Sequence, residues 1–193
     1  MGEINYTVYI IYFLVFSFLG WVIDSAYCSI VEKRLVNSGY FKELPLCPMY
    51  GVGGITLLLS IHYFNNFPKP FLLFMGTVLL SLVEYLGGIF CVVVLRERLW
   101  DYSNRVLNLQ GHVDFLHSFF WFGLTGIFVF VLYPDFIRFN SFLNRMINTS
   151  KAVDYVILIL FITGAIIMTA KRRSKRLRKI FEEIRGGQIF NMK

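Results

Sequence analysis

The chain has 193 residues, of which 56% are hydrophobic and only 16% are charged, and its formal net charge is +7. Soluble domains are about 45–50% apolar with about a quarter of their residues charged, so this composition excludes an ordinary soluble domain. The 3 cysteines form no C-x-x-C pair and give no sign of a disulfide framework. We therefore expect a membrane protein.

Five apolar stretches approach the length of about 20 residues that a helix needs to cross the hydrocarbon core of a bilayer. They predict an all-α, polytopic transmembrane bundle with about five spans, four or six being the alternatives: 6–31, 50–64, 71–95, 115–133 and 153–170. Residues 1–170 would form one transmembrane domain and residues 171–193 a basic cytoplasmic tail. The first stretch lacks the positive leading segment and the cleavage site of a signal peptide.

The basic residues predict the orientation of these spans. Residues 171–179 read KRRSKRLRK, a cluster that normally stays in the cytoplasm. A cytoplasmic C-terminus makes the loops 32–49 and 96–114 cytoplasmic, and these two loops and the tail together hold 15 of the 19 Lys and Arg residues. We predict an N-out/C-in topology in a plasma membrane, with the tail touching anionic lipid headgroups rather than nucleic acid.

Two acidic residues lie inside predicted spans, Asp24 in the first and Glu84 in the third. An acid at the centre of a membrane helix costs about 2.5–3.5 kcal/mol on insertion scales, so it normally faces a partner or a wet cavity. One interpretation is a protonated or hydrogen-bonded acid that helps helices to pack. The other is an acid-lined pocket that opens to the cytoplasm and binds a ligand, a cation or a proton.

The two cytoplasmic loops resemble each other at a constant offset of 72 residues. GYFKELPLCPMYGVGG begins at Gly39 and GHVDFLHSFFWFGLTG begins at Gly111, and several glycines coincide. Asp24 corresponds to Glu84 if the second loop has gained twelve residues. This predicts a possible parallel internal repeat of the first and second spans in the third and fourth, although biased composition gives such matches by chance as well.

The second loop contains LWDYSNRVLNLQGH, residues 99–112, which carries more polar chemistry than a connection requires. Trp100 and Tyr102 are residues that favour the membrane interface, and Asp101 and Asn108 offer hydrogen-bonding groups. An interfacial belt would explain them, but their density favours a cap over the acid-lined cavity. His112 and His117 flank Asp114 without the spacing of a common zinc motif, so we expect no metal and no cofactor.

Several motifs in order resemble one family of bacterial membrane proteins. FSFLGWVIDSAY (16–27), VNSGYF, CPMYGVG, LVEYLGGIF (82–90) and LWDYSNRVLNLQG are similar to the family called putative ABC-transporter type IV, or putative ABC transporter permease. The resemblance covers roughly residues 10–130. It implies substrate-binding or structural roles for Asp24, Asn37, Gly39, Pro48, Tyr50, Gly51, Glu84, Trp100, Asp101, Tyr102, Ser103, Asn108, Gly111 and, in the place of an arginine, His112.

This chain departs from the family pattern at three points. The acid of the first helix is usually Glu where this chain has Asp24, and two arginines of the pattern are replaced by Ser38 and His112. Because bidentate recognition of phosphate or carboxylate favours Arg, the departures weaken any expectation that these loops bind an anion.

Three functions remain open from the sequence. The first is a permease-like transport component that works with a separate ATPase subunit, since this sequence contains no P-loop. The second is an intramembrane enzyme for a lipid or isoprenoid-like substrate, with Asp24 and Glu84 as candidate catalytic general acid and base. The third is a non-catalytic partner or regulatory protein.

Overall fold

The computed structural model describes residues 6–38, 44–147 and 151–190. Within these ranges all regular secondary structure is helical, apart from one isolated bridge between Leu109 and Val113, which confirms the all-α prediction. The helices are α1 (Tyr6–Glu32), α2 (Pro48–Phe64), α3 (Lys69–Val93), α4 (Phe115–Ile127), a π-helical turn (Phe128–Leu132), α5 (Tyr133–Met146) and α6 (Lys151–Phe190).

Four stretches of helix in the described part of the chain are long and apolar enough to cross a membrane: Tyr6–Glu32, Lys69–Val93, Phe115–Phe136 and Lys151–Glu182. They overlap four of the five predicted spans. The remaining one corresponds to α2, which has only 17 residues, or about 26 Å of helix. The chain is thus a helical membrane protein, while its exact number of spans and its orientation stay predictions.

The helices pack in chain order. α1 contacts α2, α2 contacts α3 and α3 contacts α4, whereas α6 lies along α1. The buried apolar core between them consists of Val8, Tyr12, Leu57, Leu58, Ile61, Leu72, Leu80, Trp121, Phe128 and Val129. Glycines allow α1 and α2 to approach closely, because a Cβ at Gly20 or Gly54 would collide with Tyr50 or Phe16, respectively. Small residues have this role in membrane helices generally.

Side-chain contacts show which segments share an end of the bundle. At one end, Thr7 donates a hydrogen bond to Asp154 over 2.7 Å, and Tyr12 donates to Asn140 over 3.0 Å. The start of α1, the start of α6 and α5 therefore lie together. At the other end, which we call the loop end, Arg172 of α6 donates to Glu97 over 3.2 Å. The connections 33–47 and 94–114 and the basic part of α6 share this end, as the predicted topology requires.

The connection between α1 and α2 explains why α2 is short. The Cys47 amide donates to the carbonyl oxygen of Ser17 over 2.9 Å, although Ser17 lies about 22 Å before the end of α1. Nearer the loop end, Trp21 donates to Asn37 over 2.7 Å. The chain therefore descends alongside α1 before α2 begins, and we call residues 33–47 the re-entrant loop, of which 39–43 lie outside the described residues.

α6 continues through the predicted boundary between span and tail. Its 40 residues extend for about 60 Å without interruption, from Lys151 to Phe190. Only 6% of the residues in its most apolar 18-residue stretch are buried, against 22–28% in the other three helical stretches of membrane-spanning length. α6 is thus a peripheral helix of the bundle, and its basic segment begins where its apolar segment ends.

The predicted internal repeat stays a prediction. The pairing of α1 with α2 and of α3 with α4 is the arrangement that a repeat requires. The matched glycines have different surroundings, however, since a Cβ at Gly54 would collide with Phe16, whereas one at Gly126 would lie 3.8 Å from Leu73. Within the described residues, a Cβ at Gly123 would contact nothing.

Candidate functional site

A bowl at the loop end is formed by helices of unequal length. Tyr50 of α2 and Trp121 of α4 form its floor, with ring centroids 5.2 Å apart. Measured from this level towards the loop end, α2 begins about 3 Å away and α4 about 9 Å away, whereas α3 continues for about 13 Å beyond Glu84. α1 and α3 are therefore the walls, and the re-entrant loop and the connection 94–114 lie inside.

Glu84 lies at the floor of the bowl, where its side chain is almost completely enclosed. It is 2% exposed. Trp121 donates its indole N–H to Oε2 over 2.8 Å, and Tyr102 donates its hydroxyl to Oε1 over 3.2 Å. Each carboxylate oxygen thus has its own donor, one from a helix and one from a loop. This arrangement offsets part of the cost of an acid in an apolar environment.

Tyr102 connects Glu84 to a second polar pair. Its ring stacks on the His117 ring, with centroids 4.0 Å apart and planes 16° apart. The His117 ring nitrogen Nδ1 lies 2.6 Å from Oδ1 of Asp114, and Asp114 also caps the N-terminus of α4 by accepting from the His117 amide over 2.7 Å. Burial beside Glu84 raises the pKa of Tyr102 above its ordinary value of 10, so Tyr102 remains a neutral donor.

The connection 94–114, which we call the cap loop, is held together by its own hydrogen bonds. Arg98 donates to Asp101 over 2.6 Å and to the Gln110 carbonyl over 3.2 Å. Asn108 accepts from the Gly111 amide over 2.9 Å and donates to the carbonyls of Ser103 and Arg105. Hydrogen bonds from Ser103 and the nearby charge of Arg98 lower the pKa of the exposed Asp101 carboxyl.

Gly111 is required by the geometry of the cap loop. Its φ is +72°, a conformation that side chains of L-residues rarely adopt. A Cβ there would also lie 2.5 Å from the Ser103 hydroxyl and 2.6 Å from Asp101 Oδ1. The turn at Gly111 therefore places Asp101 and Ser103 against the backbone that precedes α4.

The cap loop also packs on α3 through His112 and Trp100. His112 is 6% exposed, and a Cβ at Gly88 would approach its Nδ1 to 2.5 Å. Trp100 donates its indole N–H to the His112 carbonyl over 2.8 Å. Gly88 thus lets the loop lie directly on the helix, one turn beyond Glu84.

Asp24 faces the same interior from α1 but is only half-buried. It interacts with the Ser38 hydroxyl of the re-entrant loop, and electrostatically with His117 and with Glu84. Ser38 is in turn 2.9 Å from Ser25 on α1. Two loops therefore meet two acids: the re-entrant loop contacts Asp24, and the cap loop contacts Glu84.

The structure separates the predicted site residues into two groups. Asp24, Tyr50, Glu84 and Tyr102 lie together around the bowl. The others hold the loops and helices in place: Asn37 on Trp21, Trp100 and His112 on α3, Asp101, Asn108 and Gly111 within the cap loop, Pro48 in the first turn of α2, and Gly51 against Ser17 and Phe13. Gly39 lies outside the described residues.

Three neighbours of the acids are absent from the sequence-based set of site residues: Trp121, His117 and Asp114. Trp121 lies 37 residues from Glu84 and belongs to an apolar run in which a tryptophan is unremarkable. Asp114 could have been recognised, because an Asp immediately before an apolar helical run is a typical N-cap. Among the residues that the structure describes, no three His, Cys, Asp or Glu side chains lie close enough together to hold a metal ion.

A comparison with known protein families identifies the family of this chain. A family model described as "Putative ABC-transporter type IV" matches residues 11–170. The chain belongs to this family. Membership and the apolar helices together fit a membrane transport component. The searches of curated proteins and of solved structures gave no match.

Proposed function

We propose that this chain is the permease-like membrane subunit of a transporter in the bacterial plasma membrane, and that the bowl is the cytoplasmic part of its substrate path. The observation that carries the proposal is the enclosure of Glu84, whose two oxygens accept from Trp121 and Tyr102 over 2.8 and 3.2 Å. Ionisable residues inside membrane segments commonly mark ion or substrate pathways. Glu84 is the group that would bind the cargo.

The charges around Glu84 favour a positively charged cargo or a proton. Asp24 and Asp114 both interact electrostatically with Glu84, and His117 is the basic side chain paired with Asp114. An anion would therefore meet several carboxylates on its way to the floor. A proton or a cationic group would be attracted instead, and the hydrogen bonds of Glu84 would be exchanged for bonds to that group.

The cap loop would act as the cytoplasmic gate. Tyr102 is its side-chain donor to Glu84, while most of its other bonds, such as Arg98 to Asp101, lie within the loop. It is also bonded to helices elsewhere, since Tyr85 of α3 donates to Gln110 and arginines of α6 donate to Glu97 and to the Arg96 carbonyl. Lifting the loop as a unit would break the bonds of Tyr102 and Gln110 to α3 and the packing of His112 on that helix, while the internal network of the loop would remain. The re-entrant loop supports the same reading, because non-helical backbone at membrane depth is tolerated only where protein buries it or where it lines a wet cavity.

ATP hydrolysis would come from a separate subunit, because this sequence has no P-loop. Native mass spectrometry of the full chain, extracted gently from its own membranes, tests this. We expect a complex that contains a subunit with a P-loop ATPase sequence, and its dissociation when the cap loop carries Arg98→Glu but not Asn104→Gln. A chain that carries a lipid or isoprenoid and no protein would contradict the transporter proposal.

The orientation is tested by labelling. A cysteine at position 104, in a chain with Cys28, Cys47 and Cys91 replaced by Ser, should react with a membrane-impermeant maleimide only after the cells are opened. Position 104 is exposed in the cap loop. Labelling from outside intact cells would reverse the proposed topology.

The Asp114–His117 pair favours a second candidate, an intramembrane enzyme. A carboxylate 2.6 Å from a histidine nitrogen, next to a tyrosine that contacts a buried glutamate, is a set that general acid–base catalysis could use. The same mass spectra distinguish the candidates. A bound isoprenoid or lipid that Glu84→Gln retains and the unaltered protein converts would support the enzyme.

A further inference from the structure

A small cleft lies where α6 passes the beginning of the cap loop. It is lined by Leu95, Glu97, Arg172, Arg173 and Arg176, and its cavity volume is about 10 Å³. A cavity needs roughly 10–15 Å³ of such volume to hold one water molecule, so a phosphate group would lie at the open mouth of the cleft, against its arginines. We call it the arginine cleft.

The cleft walls are fixed by ion pairs between distant parts of the chain. Glu97 Oε2 lies 3.2 Å from Arg172 and 3.5 Å from Arg176. Arg176 also donates to the carbonyl of Arg96 over 2.8 Å. These contacts place two guanidinium groups around a single carboxylate, and Arg173 also lines the cleft, so the cleft retains an excess of positive charge after Glu97 is counted.

The depth of the cleft corresponds to the phosphate level of a bilayer. Asp154 lies near the start of α6, beside Thr7 at the opposite end of the bundle. Twenty residues of helix span the roughly 30 Å of the hydrocarbon core, so a core that begins at Asp154 ends near residue 174. The headgroup layer adds roughly 5–8 Å on each side. Arg176 begins in this layer, while Arg172 and Arg173 lie within one turn of its inner edge and have side chains long enough to reach it.

We propose that the arginine cleft binds one phosphate group, that of an anionic phospholipid in the adjacent leaflet or a free phosphate ion. Arginine is suited to this ligand because its planar fork donates two hydrogen bonds to neighbouring phosphate oxygens. The peripheral position of α6 leaves room for the acyl chains of a lipid beside it, since most of its apolar surface is exposed. This site holds whether the bowl belongs to a transporter or to an enzyme.

The test uses the full chain in nanodiscs and compares two arginines of equal charge. Both are exposed, but Arg173 lines the cleft, whereas Arg178 lies further along the same helix. Three nanodisc samples are compared: phosphatidylcholine alone, phosphatidylcholine with 30% phosphatidylglycerol, and phosphatidylcholine with inorganic phosphate. Native mass spectrometry after release from the nanodisc counts the phosphatidylglycerol molecules retained per chain, and the melting temperature in each sample reports binding of free phosphate.

We expect one retained phosphatidylglycerol, at least a fivefold loss of retention in Arg173→Gln, and no loss in Arg178→Gln. Glu97→Gln should increase retention at least twofold, because it removes the negative charge that competes with phosphate. A rise of the melting temperature with inorganic phosphate alone would assign the site to the free ion. Equal losses in Arg173→Gln and Arg178→Gln, or no binding in any sample, would overturn the proposal in favour of diffuse attraction to the tail.

Discussion

The re-entrant loop and the cap loop lie at the same end of the bundle, but they are held in different ways. The re-entrant loop is bonded to α1 at successive levels, through Asn37 to Trp21 and through the Cys47 amide to Ser17. The cap loop is bonded mainly to itself, with Tyr102 and Gln110 also bonded to α3 and Glu97 bonded to α6. A loop bonded along a helix moves only with that helix, whereas a loop with its own network can move as a unit.

The same difference separates the two acids. Asp24 is half-buried and interacts with the Ser38 hydroxyl, whereas Glu84 is 2% exposed and has a donor for each oxygen. The sequence pattern treats them as equivalent members of a repeat. The structure instead gives them unequal environments, so substitutions should have unequal effects.

The largest effect is expected from Glu84→Ala. It would leave the Trp121 indole N–H and the Tyr102 hydroxyl without their acceptor, and stranding buried donors costs roughly 1–3 kcal/mol. We expect the free energy of unfolding in mixed micelles to fall by about 2 kcal/mol. The matched change Asp24→Ala should lower it by less than about 1 kcal/mol, because its site is partly solvated. Equal losses for the two variants would mean that the acids are equivalent after all.

The next largest effect concerns the packing of the cap loop on α3. Gly88→Ala would place a Cβ 2.5 Å from His112 Nδ1, whereas Gly87→Ala would meet its nearest atoms at 3.8 Å. Overpacking of this kind costs roughly 1–3 kcal/mol. We expect Gly88→Ala to lift the loop, so that a hydrophobic carbodiimide modifies the buried Glu84 faster, and Gly87→Ala to leave that rate unchanged. Similar rates for both would contradict the close packing of His112 on α3.

A smaller effect is expected from Tyr102→Phe, which removes one hydrogen bond and keeps the ring on His117. The Tyr102–Glu84 bond spans 3.2 Å, and a hydrogen bond inside a membrane protein contributes about 0.6 kcal/mol on average. We expect a stability loss near that size and a several-fold increase in modification of Glu84 by a hydrophobic carbodiimide. Asn37→Ala, the corresponding change in the re-entrant loop, should lose similar stability without altering that modification.

These contrasts show how far the sequence could be read. The apolar runs predicted the helices well, because hydropathy records which residues prefer lipid: α1 ends at Glu32 where 31 was predicted, and α3 covers Lys69–Val93 where 71–95 was predicted. Glu84 was identifiable because an acid in an apolar run is an anomaly. Its partner Trp121 was not, since hydropathy carries no information about which side chains meet across helices.

The sequence also did not reveal how deep the re-entrant loop lies in the bundle or that the basic tail continues α6 as one helix. The re-entrant loop reaches the level of Ser17 through a backbone bond, and composition does not encode such a bond. Likewise, the basic tail continues the helix of α6 and contacts Glu97 at a separation of 75 residues. A charge run predicts a side of the membrane, but its partners depend on the fold.

The last prediction concerns access of water to Cys47, where the re-entrant loop joins α2. It is measured as a reaction rate and involves no change in stability. Burial, together with the nearby charge of Asp24, raises the pKa of the Cys47 thiol to about 12. The thiolate is the reactive form, and it becomes scarcer below the pKa by a factor of ten per pH unit. In a chain with Cys28 and Cys91 replaced by Ser, the alkylation rate of Cys47 should therefore still rise tenfold per unit between pH 8 and 10.

A cysteine at the exposed position 104 should reach its plateau within this range, because an ordinary thiol has a pKa near 8.5. Restricted access would lower the rate of Cys47 at every pH without moving its profile. A plateau for Cys47 by pH 9.5 would therefore mean that water reaches Cys47. The bowl would then be open beside Asp24 as well as beneath the cap loop.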